Sequence, residues 1–219
     1  AMLRLGQLDA ALVSVTETLL TDRYDVLDGM AVASLGEVVS VFLAHRKPLN
    51  EAREIFCDPA SLTSVNLLKV LLAEQGLKPE FKKLPSYQLE TLPDYALLIG
   101  DPAIEMLRGP HPSFQVWDLG AAWQELARLP FVYAVWAVRK GLDHEPLAQR
   151  LREARNLGLD TLETIIAERK DFDLAFRRDY LTWHIHYHLG EDEKAGLALF
   201  ARLLEKHGLG PVYSPRFLI

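Results

Sequence analysis

Glu54-Ile55-Phe56-Cys57-Asp58-Pro59-Ala60-Ser61-Leu62-Thr63-Ser64-Val65 is the stretch on which the fold turns. Its first four residues read as a short buried strand. Its last ones open a helix: Val65, Leu68 and Leu72 recur at helical spacing, and Gly76 stops the run as a glycine just past a helix end does. A strand that passes through a hydroxyl-rich turn into a helix is a building unit of sheets covered by helices. The same turn aims unpaired backbone N–H groups and the hydroxyls of Ser61, Thr63 and Ser64 at one point. With the positive end of the helix dipole behind them, such groups hold an anion without a lysine or arginine. The competing reading is that Ser61 or Thr63 is only a helix N-cap.

Outward from this stretch, strands and helices alternate. Residues 9–15 read as a buried strand ending at Ser14, followed by a short helical piece over 16–20. Residues 24–30 read as irregular, with turn signals at Asp25 and Asp28-Gly29, and 37–44 as a long β run. Pro79-Glu80-Phe81-Lys82-Lys83-Leu84 reads as an edge strand blunted by its lysines. Tyr95-Ala96-Leu97-Leu98-Ile99 is a buried strand that stops at Gly100, with Asp101 expected as N-cap and Pro102 as the first helical residue. Residues 114–117 form a strand, Asp118 caps a helix over 121–127, and 131–138 is the second long β run. Everything after Gly141 reads as helical, including one helix over 174–189 and another over 191–207.

The expected class is α/β: two lobes with mixed, largely parallel sheets and a helical C-terminal part. The runs 37–44 and 131–138 read as paired hinge strands. They divide the chain into one lobe of 1–46 with 131–219 and another of 47–130, with the ligand cleft between them. The opening residues Ala1-Met2-Leu3-Arg4-Leu5-Gly6 read as the end of a helix, so a preceding element is expected and a leader segment stays open.

Composition narrows the function classes. The 219 residues are 49% hydrophobic and 25% charged, ample for a sizeable core. A net charge of −6 without a basic stripe argues against nucleic acid as partner. No apolar run reaches spanning length, so no membrane partner is expected. The single cysteine, Cys57, reads as a buried structural thiol and suits a reducing, cytoplasmic setting.

Several pieces of the chain, taken in order, resemble a known family. They are Ser61-Leu62-Thr63-Ser64-Val65 with Leu67-Leu68-Lys69, then Leu97-Leu98-Ile99-Gly100-Asp101, then Asp118-Leu119-Gly120 with Trp123. Leu129-Pro130-Phe131-Val132-Tyr133-Ala134-Val135-Trp136-Ala137-Val138 follows, and last come Tyr187-His188-Leu189-Gly190 and Lys194-Ala195-Gly196-Leu197. Over essentially the whole chain this pattern resembles the MqnA family, the chorismate dehydratases of the futalosine route to menaquinone. The resemblance implies two lobes like those of type II periplasmic solute-binding proteins. It also implies a hydro-lyase, free of metal and cofactor, that converts chorismate to 3-[(1-carboxyvinyl)oxy]benzoate and water, with the substrate's own enolpyruvyl carboxylate as base.

The family's strand-end serine falls on Ser14, with Glu17 also matching, and its second serine is Val15 here. A glycine-proline-valine stretch of the family maps to Gly36-Glu37-Val38, with Glu37 in place of the proline. The family's early substrate-contacting asparagine has no counterpart in this sequence. The expected substrate binders are therefore Ser14, Gly36, Ser61, Thr63, Ser64 and Gly100. Asp101 is the candidate catalytic group, facing the departing hydroxyl, against its role as a cap.

His184, His186 and His188 tempt a metal assignment, but on a helix only His184 and His188 share a face, and no metal is expected. Tyr180, Trp183 and Tyr187 read as core aromatics. His111, in a proline-flanked loop, is a candidate acid or base, and dependence on it would favour the sibling enzyme, 1,4-dihydroxy-6-naphthoate synthase. A non-catalytic binding module for a small carboxylate is the alternative from another class. Oligomeric state is left open by the sequence.

Overall fold

The computed structural model describes residues 2–58, 61–109, 113–142 and 144–219. In chain order, β1 (Ala10–Ser14) runs directly into α1 (Val15–Leu20), and then come the long β2 (Tyr24–Ser34) and β3 (Val41–His45). Next are β4 (Glu54–Cys57), α2 (Leu62–Glu74), β5 (Glu80–Lys83), β6 (Tyr95–Ile99) and α3 (Asp101–Arg108). β7 (Gln115–Asp118), α4 (Leu119–Ala127) and β8 (Phe131–Arg139) follow. The last third holds α5 (Glu145–Asp160), α6 (Leu162–Glu168), α7 (Leu174–Asp179), α8 (Glu191–Lys206) and β9 (Phe217–Leu218).

The strands form two sheets, one in the order β1-β8-β2-β9 and one in the order β5-β4-β6-β3-β7. The sheets are mixed, but less parallel than the alternation of elements suggests. Among the described residues, parallel pairing is confined to β4 with β5, β4 with β6, and β2 with β9. β8 lies antiparallel to β1 and β2, and β3 antiparallel to β6 and β7. The reason is connectivity. α2 crosses over between β4 and β5, whereas β3 and β8 enter their sheets from the other half of the molecule and need no helical crossover.

Three local readings are corrected. Residues 24–30 are not irregular: they begin β2, and Asp28-Gly29 makes a bulge within the strand, where the register against β8 shifts between Val26 and Ala31. Buried Asp25 is tolerated there because Arg216 pairs with it. The run 37–44 is strand only from Val41; before it the chain bends through 35–40, and Val39 adopts a φ of 55°, rare for a β-branched residue. β3 and β8, the two runs read as hinge strands, lie one in each sheet. Finally, the 174–189 helix ends early. α7 gives way to a wide π-type turn over Tyr180–His184 and then to extended chain over 185–190, where His186 bridges to Ala33 of β2.

The helix opened by the decisive stretch closes as read. Past Glu74, Gly76 takes a φ of 75°, its N–H bonds to the Ala73 carbonyl at 3.0 Å, and the Leu77 N–H reaches back to Leu72 at 2.9 Å. The lysine-rich β5 does lie at a sheet edge, with Lys82 paired to Glu54.

The largest core cluster runs through both halves of the molecule. Trp123 of α4, Phe131 of β8 and Phe200 of α8 meet edge to face, with ring centroids 5.1 to 6.0 Å apart. Two glycines make the close approaches possible. A Cβ on Gly196 would overlap the Pro130 carbonyl, and one on Gly120 would overlap that of Gly36, so α8 and α4 pack backbone to backbone there.

Candidate functional site

Where β1 ends and α1 begins, Ser14 faces the N-terminus of α2 across the junction of the two halves. Ser14, Ser61, Thr63, Ser64 and Gly100, five of the six expected binders, line one cavity of about 260 Å³. Ser40, Tyr133, Tyr180 and Ile185 complete much of its wall, and no charged side chain lines it among the described residues. Gly36 lies outside: it sits in the bend before β3 with a φ of 92°, its carbonyl toward the Ser34 hydroxyl at 3.5 Å. Asp101 also lies outside. It is the first residue of α3, with Gly100 as N-cap and Pro102 one place further in than expected. It faces a neighbouring, mainly apolar cavity of about 460 Å³ that shares Tyr180 with the first and is walled by α5, α6 and α7.

Neither hydroxyl weighed as a cap for α2 caps it: Ser61 occupies the N-cap position without a side-chain capping bond. Thr63 instead ties the two halves together. Its hydroxyl donates to the Tyr133 carbonyl at 3.1 Å, accepts the Thr16 N–H at 3.3 Å, and receives the Ser14 hydroxyl. Donation to Tyr133 uses Thr63's only proton, so in the Ser14 contact Ser14 is the donor. The first backbone N–H groups of α2 have no partner within their own helix, and Leu62, Thr63 and Ser64 of that first turn line the cavity. Beside Thr63, the Thr16 hydroxyl is buried without a hydrogen-bond partner.

Gly100 carries a φ of 64°, and open space lies where a Cβ would be, so glycine is required there by backbone conformation. Its N–H donates to the Ser40 carbonyl at 2.8 Å, joining the end of β6 to the bend before β3. Asp118 fixes that bend from below. It caps α4 through the Ala121 N–H at 2.9 Å and also accepts the N–H groups of Val38 at 3.1 Å and Val39 at 2.8 Å. Burial pushes its carboxyl up, and the three N–H bonds pull the other way.

Sequence reasoning missed Ser40, Tyr133 and Tyr180. The Tyr180 hydroxyl donates to Ser40 at 2.9 Å, and Tyr133 shares a 3.0 Å bond with Ser34. Burial raises both phenols above their ordinary range, so each keeps its proton. A tyrosine within a strand whose hydroxyl needs a partner was the available signal for Tyr133. Glu17, which matches the family, turns away from the cavity and pairs with Arg4 at 2.8 Å. Val15 is fully buried in the core. His111 lies outside the described residues. Cys57 is buried, and burial raises its thiol.

The histidine reading is also corrected. Residues 185–190 are extended, so alternate side chains share a side. Ile185 and Leu189 go to the core, while His186 and His188 face out together, and the Nδ1 of His184 meets the Glu37 carbonyl at 2.8 Å.

A family model described as menaquinone biosynthesis matches residues 1–206. The chain belongs to the menaquinone biosynthesis family. The chorismate dehydratase of Thermus thermophilus is 36% identical to it over 217 residues, covering 90% of this chain and 77% of that relative. The fold is shared more widely. A crystal structure of an Archaeoglobus fulgidus protein superposes with a TM-score of 0.70 at 19% identity, covering 94% of this chain and 82% of that one. The periplasmic aliphatic sulphonate binding protein of Escherichia coli does so with a TM-score of 0.57 at 15% identity, covering 100% of this chain and 79% of that one. The molecule thus has the α/β fold of periplasmic binding proteins, with mixed sheets.

Proposed function

We propose that this protein is a chorismate dehydratase, a carbon–oxygen lyase that eliminates water from chorismate to give 3-[(1-carboxyvinyl)oxy]benzoate for menaquinone made through futalosine. The observation that carries this is the 36% identity to a chorismate dehydratase over 90% of the chain. The cavity chemistry supports it. The reaction takes the C3 proton and the C4 hydroxyl from the ring and leaves an arene, so aromatisation drives it. The protein then mainly has to hold a dianion, orient the leaving hydroxyl and keep water out. Uncharged donors at the mouth of α2 suit a carboxylate, and the absence of a charged lining among the described residues spares it from repulsion.

In this reading the α2 N–H groups with Ser61 and Ser64 bind one carboxylate, and Ser14 contacts the substrate from the opposite wall. Thr63 holds Ser14 in place rather than serving as a free binder. The substrate's enolpyruvyl carboxylate takes the ring proton, so no cofactor is called for. Residues up to 40 with those from 128 on act as one lobe and 41–127, which include β3, as the other, opening about the bends at 35–40 and 128–130 to admit substrate. Among the described residues no helix is long and apolar enough to cross a membrane, and we place the enzyme in the cytoplasm with its substrate.

The test is to incubate the full-length protein with chorismate alone and follow the enolpyruvyl benzoate by chromatography. Turnover is expected. Chorismate bound but unchanged would instead support a carboxylate-binding module, and turnover only of a later pathway intermediate, lost on changing His111, would support the naphthoate synthase. The double change Ser61→Ala, Thr63→Ala, which removes one binder and the group that holds Ser14, is expected to weaken substrate capture by about 1–3 kcal/mol.

A further inference from the structure

Away from the hydroxyl cavity, the extended segment 185–190 turns two of its histidines onto one carboxylate. The rings of His186 and His188 stack with centroids 4.4 Å apart and planes 26° apart. Nε2 of His186 lies 3.1 Å from Oε1 of Glu193, and Nε2 of His188 lies 3.2 Å from the same oxygen. Glu193 stands in the first turn of α8 and is 3% exposed. Its other oxygen accepts the Gly190 N–H at 2.8 Å, which fixes the direction in which Oε1 points.

We propose that His186, His188 and Glu193 form a binding site for a divalent transition metal of the zinc type. Ligand atoms held about 2.0–2.1 Å from a tetrahedral ion stand roughly 3.3 Å apart, close to the two nitrogen–oxygen spacings seen here. All three ligand atoms fall within 4.8 Å of one another. Two imidazole nitrogens and one carboxylate oxygen suit zinc, cobalt or nickel better than magnesium or calcium, which take mostly oxygen. The His188 side chain is 61% exposed, so a fourth position opens to water.

None of the three ligands lines the hydroxyl cavity, whereas Ile185 in the same segment does. The ion would therefore act as a clasp. It would join the extended segment, whose backbone pairs with Ala33, to the start of α8, and so stiffen one wall of the cavity without entering the reaction.

The experiment is a Co²⁺ titration of tag-free full-length protein, followed by ligand-field absorption, with Zn²⁺ competition and thermal melting alongside. One equivalent of Co²⁺ is expected to give an absorption band that Zn²⁺ abolishes, and Zn²⁺ should raise the melting temperature. His188→Ala, a change at an exposed side chain, should weaken binding roughly tenfold or more and remove the zinc-dependent rise. His184→Ala, which touches the Glu37 carbonyl instead, should leave both intact. Absence of a Co²⁺ band in the parent protein, or equal binding by His188→Ala, would overturn the proposal and leave a hydrogen-bonded histidine pair.

Discussion

The mouth of α2 and the segment 185–190 both mix polar with apolar residues, both lie beside the join between the two halves, and were decided in opposite ways. At the mouth, the helix follows from its own residues: a turn, an apolar repeat at Val65, Leu68 and Leu72, and Gly76 beyond the end. At the segment, aromatic and aliphatic residues that would have continued α7 were claimed by β2, through the bonds of His186 with Ala33. Helix periodicity is a local property, but a two-residue bridge to a distant strand is worth making only if side chains can be buried with it. The lesson is that a short polar–apolar alternation can override a helix when a half-filled sheet lies within reach.

The sharpest way to break this contrast is Ile185→Ala. If burial of this segment decides its form, the change should cost about 3 kcal/mol in urea unfolding, as buried isoleucine truncations do. A loss under about 1 kcal/mol would show that backbone pairing alone holds the segment. At the mouth, Thr63→Val strips an acceptor from Ser14 and the Thr16 N–H, and should cost about 1–2 kcal/mol. Ser61→Ala should change stability by less than about 0.5 kcal/mol, because no capping bond is lost, while substrate affinity falls. A larger stability loss would return Ser61 to a structural role.

The smallest effect concerns the bend that joins the halves. Burial raises the Asp118 carboxyl above its unfolded value, so the folded state binds that proton more tightly than the unfolded chain does. Its ionisation therefore costs stability as pH rises through the folded value, and the cost disappears as pH falls. The stability difference between the parent protein and Asp118→Asn should accordingly move in favour of the parent on acidification from neutral pH toward about pH 4, measured by unfolding across that range. A movement in the opposite direction would mean that the three N–H bonds outweigh burial.

Five of the six expected binders share one cavity because they sit at element ends. Ser14 closes β1, Ser61 to Ser64 open α2, and Gly100 follows β6, so the order of strands and helices brings them to one cavity. Gly36 and Asp101 lie outside that cavity for a shared reason. Each is next in sequence to a cavity residue or bend, but a single step along the chain turns the backbone toward another surface. Ser40, Tyr133 and Tyr180 come from a bend, a strand interior and a π-type turn, and no local pattern says which side of the junction these will face.

Taken alone, the sequence determined the α/β class, the helix at the decisive stretch with its glycine stop, the edge position of the lysine-bearing strand and the capping role of Asp118. Each depends on contacts among residues close in the chain, or on burial patterns with a fixed period. Only the tertiary structure decided the antiparallel entry of β3 and β8, the bulge that keeps Asp28-Gly29 inside β2, the tie from Thr63 to Ser14, and the side shared by His186 and His188. Those features rest on pairings between residues tens of positions apart, whose energies exist only once both partners have been brought together.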